Sequence, residues 1–523
     1  MIMPQGVSTL PATEHPGWPF KQHYRLIAVS VAAAAVTLTI WFGLPELNMK
    51  ARLAFITFIL ALIGWCFTTI NDTYIALVAA IIPSVIGTGA PNEFFEALGD
   101  SMIWLLFAAF IIAAAVSASG LSRRLTMAVV SRAHSVNQLF YALTAAIIAT
   151  AFVIPSTSGR AALMLPIFIA LSTTINDARI TKALALLFPT VILLSAVASL
   201  IGAGAHLVTA DLLLHMTGQR IGFWEWMVWG LPFALVSCFV STWLILRLFL
   251  NKEEQHKPVQ FSVAQIEKGD DSSDPKAFSR QERTMLILAV ALVTLWATEP
   301  LHGVNNTMVA IVGALLATAP KFGVFSFMEA VKKVEWSLLI FLAATMEIGE
   351  SLIESGGAKW LADHLFEMLQ GGAATSAWLV VSVVAAVSLL SHLLINSRTA
   401  RSSVLVPLVI LLGLSLGFQP AGLAFLSTAA AGFCLTLMVS AKPVAMFGQI
   451  EAPTYTAQDL LRLSSVLLPV HFVLLVVFAF FVWPYLGLEF LPDSTAVHQT
   501  PTWTEGQPSP AQMSTVAVVA QRN

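Results

Sequence analysis

Apolar blocks of roughly 18 to 25 residues recur along almost the whole chain, and a helix of that length crosses about 30 Å of hydrocarbon at about 1.5 Å per residue. No water-soluble fold could bury so many. Of 523 residues, 57% are hydrophobic and 11% charged, against about 25% charged in an ordinary soluble domain. The chain therefore reads as an all-α integral membrane protein. A formal net charge of -2 gives no bias toward nucleic acid, so any charge selectivity is local. Cys66, Cys238 and Cys434 stand apart in apolar segments without CxxC or Cys/His spacing, which argues against a metal site or a disulfide framework. No cofactor is expected.

Hydropathy places spans near 26–44, 52–69, 73–88, 100–120, 182–212 and 224–250, then 283–299, 306–323, 335–354, 420–448 and 462–487. The block from Leu26 to Leu44 is too long for a signal-peptide core and lacks a small-residue cleavage site, so it counts as the first span. With the N-terminus in the cytoplasm, Lys21, Arg25, Arg123, Arg124, Arg132, Arg179, Lys182, Lys321, Lys332, Lys333 and Arg462 share the inner side, while Lys50, Arg52, Arg220 and Lys359 lie outside. Basic loops favour the cytoplasm, so this arrangement fits eleven spans in a cell membrane. The expected organisation is a cytoplasmic tail (1–24), a first membrane repeat (25–250), a cytoplasmic linker (251–282), a second repeat (283–488) and a disordered tail (489–523).

Two further apolar stretches, 136–175 and 376–416, carry polar breaks and read as re-entrant hairpins. A shift of 241 residues superposes Ser156 on Ser397, Ser158 on Thr399, Arg160 on Arg401 and Pro166 on Pro407. The chain thus contains an internal repeat, inverted in the membrane because an odd number of crossings separates its copies. Irregular backbone at membrane depth survives where it is buried in protein or lines a watery cavity, so both tips belong inside the bundle. Broken helices in matching positions of two halves mark the binding site of a transporter, and their N-termini offer free N–H groups to an anion. Ser156, Thr157, Ser158, Ser397 and Thr399 add hydroxyls to those tips.

Arg160, Arg398, Arg401 and Lys442 lie in apolar surroundings, where a charge facing lipid costs about 2.5–3.5 kcal/mol. They are expected to face inward. There they either hold a carboxylate, sulfonate or phosphate or pair with a buried carboxylate such as Glu347 or Glu350. Glu347, Glu350, His206, Asp211 and His392 are the titratable candidates for proton coupling.

Paired tips of the form Ser156-Thr157-Ser158 and Ser397-Arg398-Thr399, each followed eight residues later by Pro166 or Pro407, resemble the divalent anion/sodium symporter family. The resemblance covers most of Leu26 to Gly487. It implies a scaffold domain and a transport domain, a homodimer, elevator-type movement, and substrates such as di- and tricarboxylates or sulfate.

The chain departs from the family pattern where the family holds sodium. Thr157 and Arg398 replace the tip asparagines, and Ala441-Lys442-Pro443-Val444-Ala445 and Gly202–Asp211 lack the family's Thr-Pro-Pro-Asn signature. A guanidinium and an ammonium beside a cation site repel sodium at low effective dielectric. The expectation is therefore a proton-coupled or exchanging anion transporter, with Arg398, Lys442 and Pro443 in its site. A sodium/proton antiporter, an arsenite permease and an anion channel are the alternatives. Absence of HExxH, nucleophile-elbow and Walker A patterns speaks against an enzyme.

Overall fold

The computed structural model describes residues 19–86, 93–259, 278–320, 323–370, 376–450 and 454–491. The N-terminal tail before residue 19, most of the linker and the C-terminal tail from residue 492 lie outside the described residues. Those described are helical, with no strands among them. Eight helices are long and apolar enough to cross a membrane, and six more apolar helices run 10–17 residues.

The first half comprises α1 (Pro19–Gly43), α2 (Met49–Phe67), α3 (Asp72–Ile86), α4 (Glu93–Leu98), α5 (Ser101–Ala118), α6 (Leu121–Val130), α7 (Val136–Thr150), α8 (Thr157–Ile175), α9 (Ala178–Leu194), α10 (Gly204–Thr217) and α11 (Phe223–Phe249). The segment read as a linker opens with a short helix, α12 (Lys252–His256), fixed by a capping box between Asn251 and Glu254. The second half contains α13 (Arg280–Ala297), α14 (Glu299–His302), α15 (Asn306–Ala317), α16 (Phe327–Val331), α17 (Trp336–Glu354), α18 (Gly357–Gln370), α19 (Ala377–Leu390), α20 (Arg398–Leu416), α21 (Pro420–Ala431), α22 (Lys442–Gly448) and α23 (Ala457–Phe481).

The repeat seen in sequence extends to backbone geometry, since α8 and α20 start and end 241 residues apart. Both open on an N-cap serine. Ser156 accepts from the Gly159 N–H at 3.1 Å, and Ser397 accepts from the Ala400 N–H at 3.3 Å. Such a cap satisfies one of the four orphan N–H groups at a helix start. The preceding helices match as well: Thr150 Oγ1 donates to the Ile147 carbonyl and Ser391 Oγ to the Ser388 carbonyl, both at 2.6 Å.

Two stretches that hydropathy reads as single spans are broken. The apolar run 182–212 ends α9 at Leu194, passes through short 3₁₀ turns at Ser195–Ala198 and Leu200–Gly202, and resumes as α10. The run 420–448 likewise leaves helix between α21 and α22. The halves cross, with α10 packed on α20 and α21, and α22 packed on α8 and α9. The Thr209 and Thr428 hydroxyls hydrogen-bond to one another across that crossing. Trp226, fully buried, donates to the Val197 carbonyl at 3.0 Å and so satisfies one group freed by the first break.

Several ion pairs tie helix ends together. Arg124 pairs with Glu282 at 2.7 Å, and Arg179 with Glu254, Lys182 with Asp459 and Lys257 with Asp177 at 3.0 Å.

Candidate functional site

The two tips meet the two broken spans near the centre of the bundle, and there the three arginines take different tasks. Arg160 is fully buried. Its Nε donates to Thr150 Oγ1 at 2.9 Å and its Nη1 to the Ile192 carbonyl at 3.0 Å. Its Nη2 donates to the Ile147 carbonyl at 2.8 Å and to Ser195 Oγ at 2.6 Å. Those carbonyls belong to the last turns of α7 and α9, which end in the buried interior with unsatisfied acceptors and negative dipole ends. Arg160 supplies the missing donors.

Arg401, also fully buried, repeats the arrangement more loosely. Its Nη1 lies 3.5 Å from the Phe433 carbonyl and its Nη2 2.6 Å from Cys434 Sγ. Phe433 and Ile192 are themselves 241 residues apart, so each arginine serves the break of its own repeat. Nε of Arg401 has no hydrogen-bond partner.

Arg398 differs from both, because it crosses from one repeat to the other. Nη1 donates to the Leu193 carbonyl at 3.4 Å, and Nη2 lies 3.3 Å from His206 Nε2. His206 Nδ1 lies 2.9 Å from the Ser199 carbonyl, so the proton sits on Nδ1 and Nε2 accepts from the guanidinium. The imidazole also lies against Trp226, with ring centroids 4.9 Å apart. Arg398 Nε is unpartnered. A guanidinium carries five N–H groups: Arg160 engages at least one on each of its three nitrogens, while Arg398 keeps donors in hand. Among the described residues none of the three pairs with a carboxylate.

The remaining candidates fall into separate places. Thr157, Ser158 and Thr399 are half-buried in the first turns of α8 and α20. Lys442 is exposed at the start of α22, and Pro443 beside it is buried. His392 belongs to the second break, with Nδ1 2.7 Å from the Leu389 carbonyl and Nε2 2.8 Å from Thr436 Oγ1. Glu347 is buried within α17. Asp211 is buried on α10 and pairs with His215 Nδ1 at 3.2 Å, near Glu350. The sequence reading missed His215, although its spacing of four from Asp211 is a usual sign of a helical pair.

A family model described as the sodium:sulfate symporter transmembrane region matches residues 23–489. The chain belongs to this family of divalent anion/sodium symporters. A sodium-dependent dicarboxylate transporter, SdcS, of Staphylococcus saprophyticus is 23% identical over 500 residues, covering 89% of this chain and 93% of that one. The citrate/succinate antiporter of Escherichia coli K12 is 23% identical over 405 residues, covering 74% and 79%. In fold, the chain resembles the Alcanivorax borkumensis YdaH transporter, with a TM-score of 0.52 at 14% identity, covering 83% of this chain and 98% of that one. Membership in the divalent anion/sodium symporter family makes the chain a multi-pass membrane transporter, not an enzyme.

Gly432 shows how closely Arg398 is held in this symporter fold. A Cβ added there would lie 2.7 Å from Arg398 Nη2 and 3.0 Å from the Ala429 carbonyl. Gly432→Ala should displace the guanidinium from Leu193 and His206 and slow transport about tenfold, the scale of one charge-assisted hydrogen bond. Uptake assays on the purified variant check this.

Proposed function

We propose that the chain exchanges small carboxylate anions, di- or tricarboxylates, across the cell membrane without sodium. Arg398 carries this reading: a half-buried guanidinium with donors to spare, at the crossing of two broken spans and beside two helix N-termini. A guanidinium fork matches a carboxylate in shape and charge, and the hydroxyls of Thr157, Ser158 and Thr399 line the same tips. Family membership and the carboxylate transporters among its relatives support an anion as cargo. Arg160 and Arg401 act as structural caps of the half-helices.

Sodium is a poor fit beside Leu193. That carbonyl and the His206 lone pair, the acceptors a cation would use, already face the Arg398 guanidinium. A fixed cation there performs the neutralising task of a bound ion and cannot leave with the substrate, which favours exchange. Movement of a transport domain against a scaffold, in a homodimer with its N-terminus inside, completes the proposal. A second reading, proton coupling, draws support from the buried Asp211–His215 pair, whose partly exposed imidazole offers a proton route.

The test is radiolabelled succinate uptake into proteoliposomes preloaded with succinate, malate or citrate. Equal rates in sodium and choline buffers are expected, and uptake that requires sodium would overturn the exchange reading. Acceleration by an inward proton gradient would favour the second reading.

A further inference from the structure

An acidic side chain of the protein itself lies at each tip, in hydrogen-bond contact at the first and close by at the second. Ser156, the N-cap of α8, donates to Glu335 Oε1 at 2.8 Å. At the other tip the Asp72 carboxylate lies near Ser397, the N-cap of α20, and near Lys442. The two acids sit on one edge, since Asp72 is the first residue of α3 and Glu335 the N-cap of α17. These helices pack against each other. Their starts are tied as well: Thr73 Oγ1 lies 2.8 Å from Ser337 Oγ and donates to the Ser337 carbonyl at 3.0 Å. One acidic edge thus meets the tips of both repeats, with one carboxylate on each.

The N-terminus of a long helix attracts carboxylates through its free N–H groups and its positive dipole end. A carboxylate from the protein and one from a substrate compete for that field and for the same serine hydroxyl, so occupancy by one disfavours the other. A ligand shifts a conformational equilibrium by its differential affinity for the two states, and such competition supplies that difference.

We propose that Asp72 and Glu335 form a latch that holds the unloaded tips against the α3/α17 edge until a carboxylate substrate releases them. This rests on the reading of the tips as a carboxylate site. Its consequence is that the loaded carrier crosses readily while the empty one stays docked, so transport becomes exchange with no coupling ion to enforce it. The same edge explains why two acids, one per repeat, sit where the repeats' own N-termini converge.

The experiment compares two rates for the purified full chain in proteoliposomes: radiolabelled succinate entry into succinate-loaded vesicles and into empty ones. Wild type should load empty vesicles at least about tenfold more slowly than loaded ones. In Asp72→Asn/Glu335→Gln, entry into empty vesicles should rise about tenfold, the scale of losing charge-assisted hydrogen bonds at the tips, while exchange stays within about threefold of wild type. Unchanged entry into empty vesicles with exchange intact overturns the latch. Loss of both rates also overturns it and assigns the acids to the transport path itself. Glu335 is exposed, so Glu335→Gln alone keeps the test available if the double variant does not fold; it should raise empty-vesicle entry about threefold, and no rise overturns the proposal. Wild type that exchanges none of succinate, malate and citrate refutes the functional reading, and the latch falls with it.

Discussion

Exchange of succinate should fall about a hundredfold in Arg398→Gln, while the protein remains folded and monodisperse. Two charge-assisted hydrogen bonds to a substrate carboxylate are worth roughly 3 kcal/mol together, and about 1.4 kcal/mol is a tenfold change in rate or binding. Glutamine keeps the length and one polar head but has neither the charge nor the fork. Arg398→Lys keeps the charge as a compact ammonium that cannot bind in a bidentate manner, so it should lose about tenfold. The fold tolerates both changes because Arg398 makes two long hydrogen bonds, at 3.3 and 3.4 Å, and its Nε has none. Leu193 loses a distant donor, and His206 keeps its bond to Ser199. Counterflow rates paired with thermal unfolding of the same preparations decide the matter. Wild-type exchange in Arg398→Gln would remove Arg398 from the site, whereas loss of rate together with loss of folded protein would make it structural.

The sequence made the tips legible because their constraints are local. Ser156 and Ser397 are caps, the serines and threonines after them follow a helix start, and a 241-residue shift carries one tip onto the other. The breaks in the spans 182–212 and 420–448 were not legible from hydropathy. Both runs stay apolar through the break, because the freed backbone groups there are satisfied by distant partners such as Arg160, Arg401 and Trp226. A hydropathy window measures transfer from water and is blind to which donor fills which carbonyl. For the same reason, composition could not separate Arg160 from Arg398. Both are arginines in the first turn of a tip helix, and the number of N–H groups each has spent distinguishes them only in three dimensions. Asp72 and Glu335 escaped notice because an acid at a helix start is ordinarily a favourable match to the dipole; their reach to the opposite tips depends on how α3 and α17 pack.

Arg160→Met is expected to act on folding. Methionine restores apolar volume but no donor, leaving the Ile147 and Ile192 carbonyls and the Thr150 and Ser195 hydroxyls to share fewer partners in a dry interior. Each buried polar group left unsatisfied costs about 1–3 kcal/mol, and breaking a buried charged network typically costs about 3–5 kcal/mol. The half-helices α7 and α9 would lose the cation at their C-terminal ends in the same step. Thermal unfolding in detergent should therefore shift well below wild type, with little monodisperse protein recovered. Arg401→Met should be milder, since Arg401 makes two contacts, one of them to a sulfur, and its Nε goes unused. The order Arg160 above Arg401 above Arg398 in lost stability, with Arg398 alone losing transport while folded, separates cap from ligand. An Arg160→Met protein that unfolds like wild type but fails to exchange succinate would reverse the assignment and put Arg160 among the groups that hold substrate.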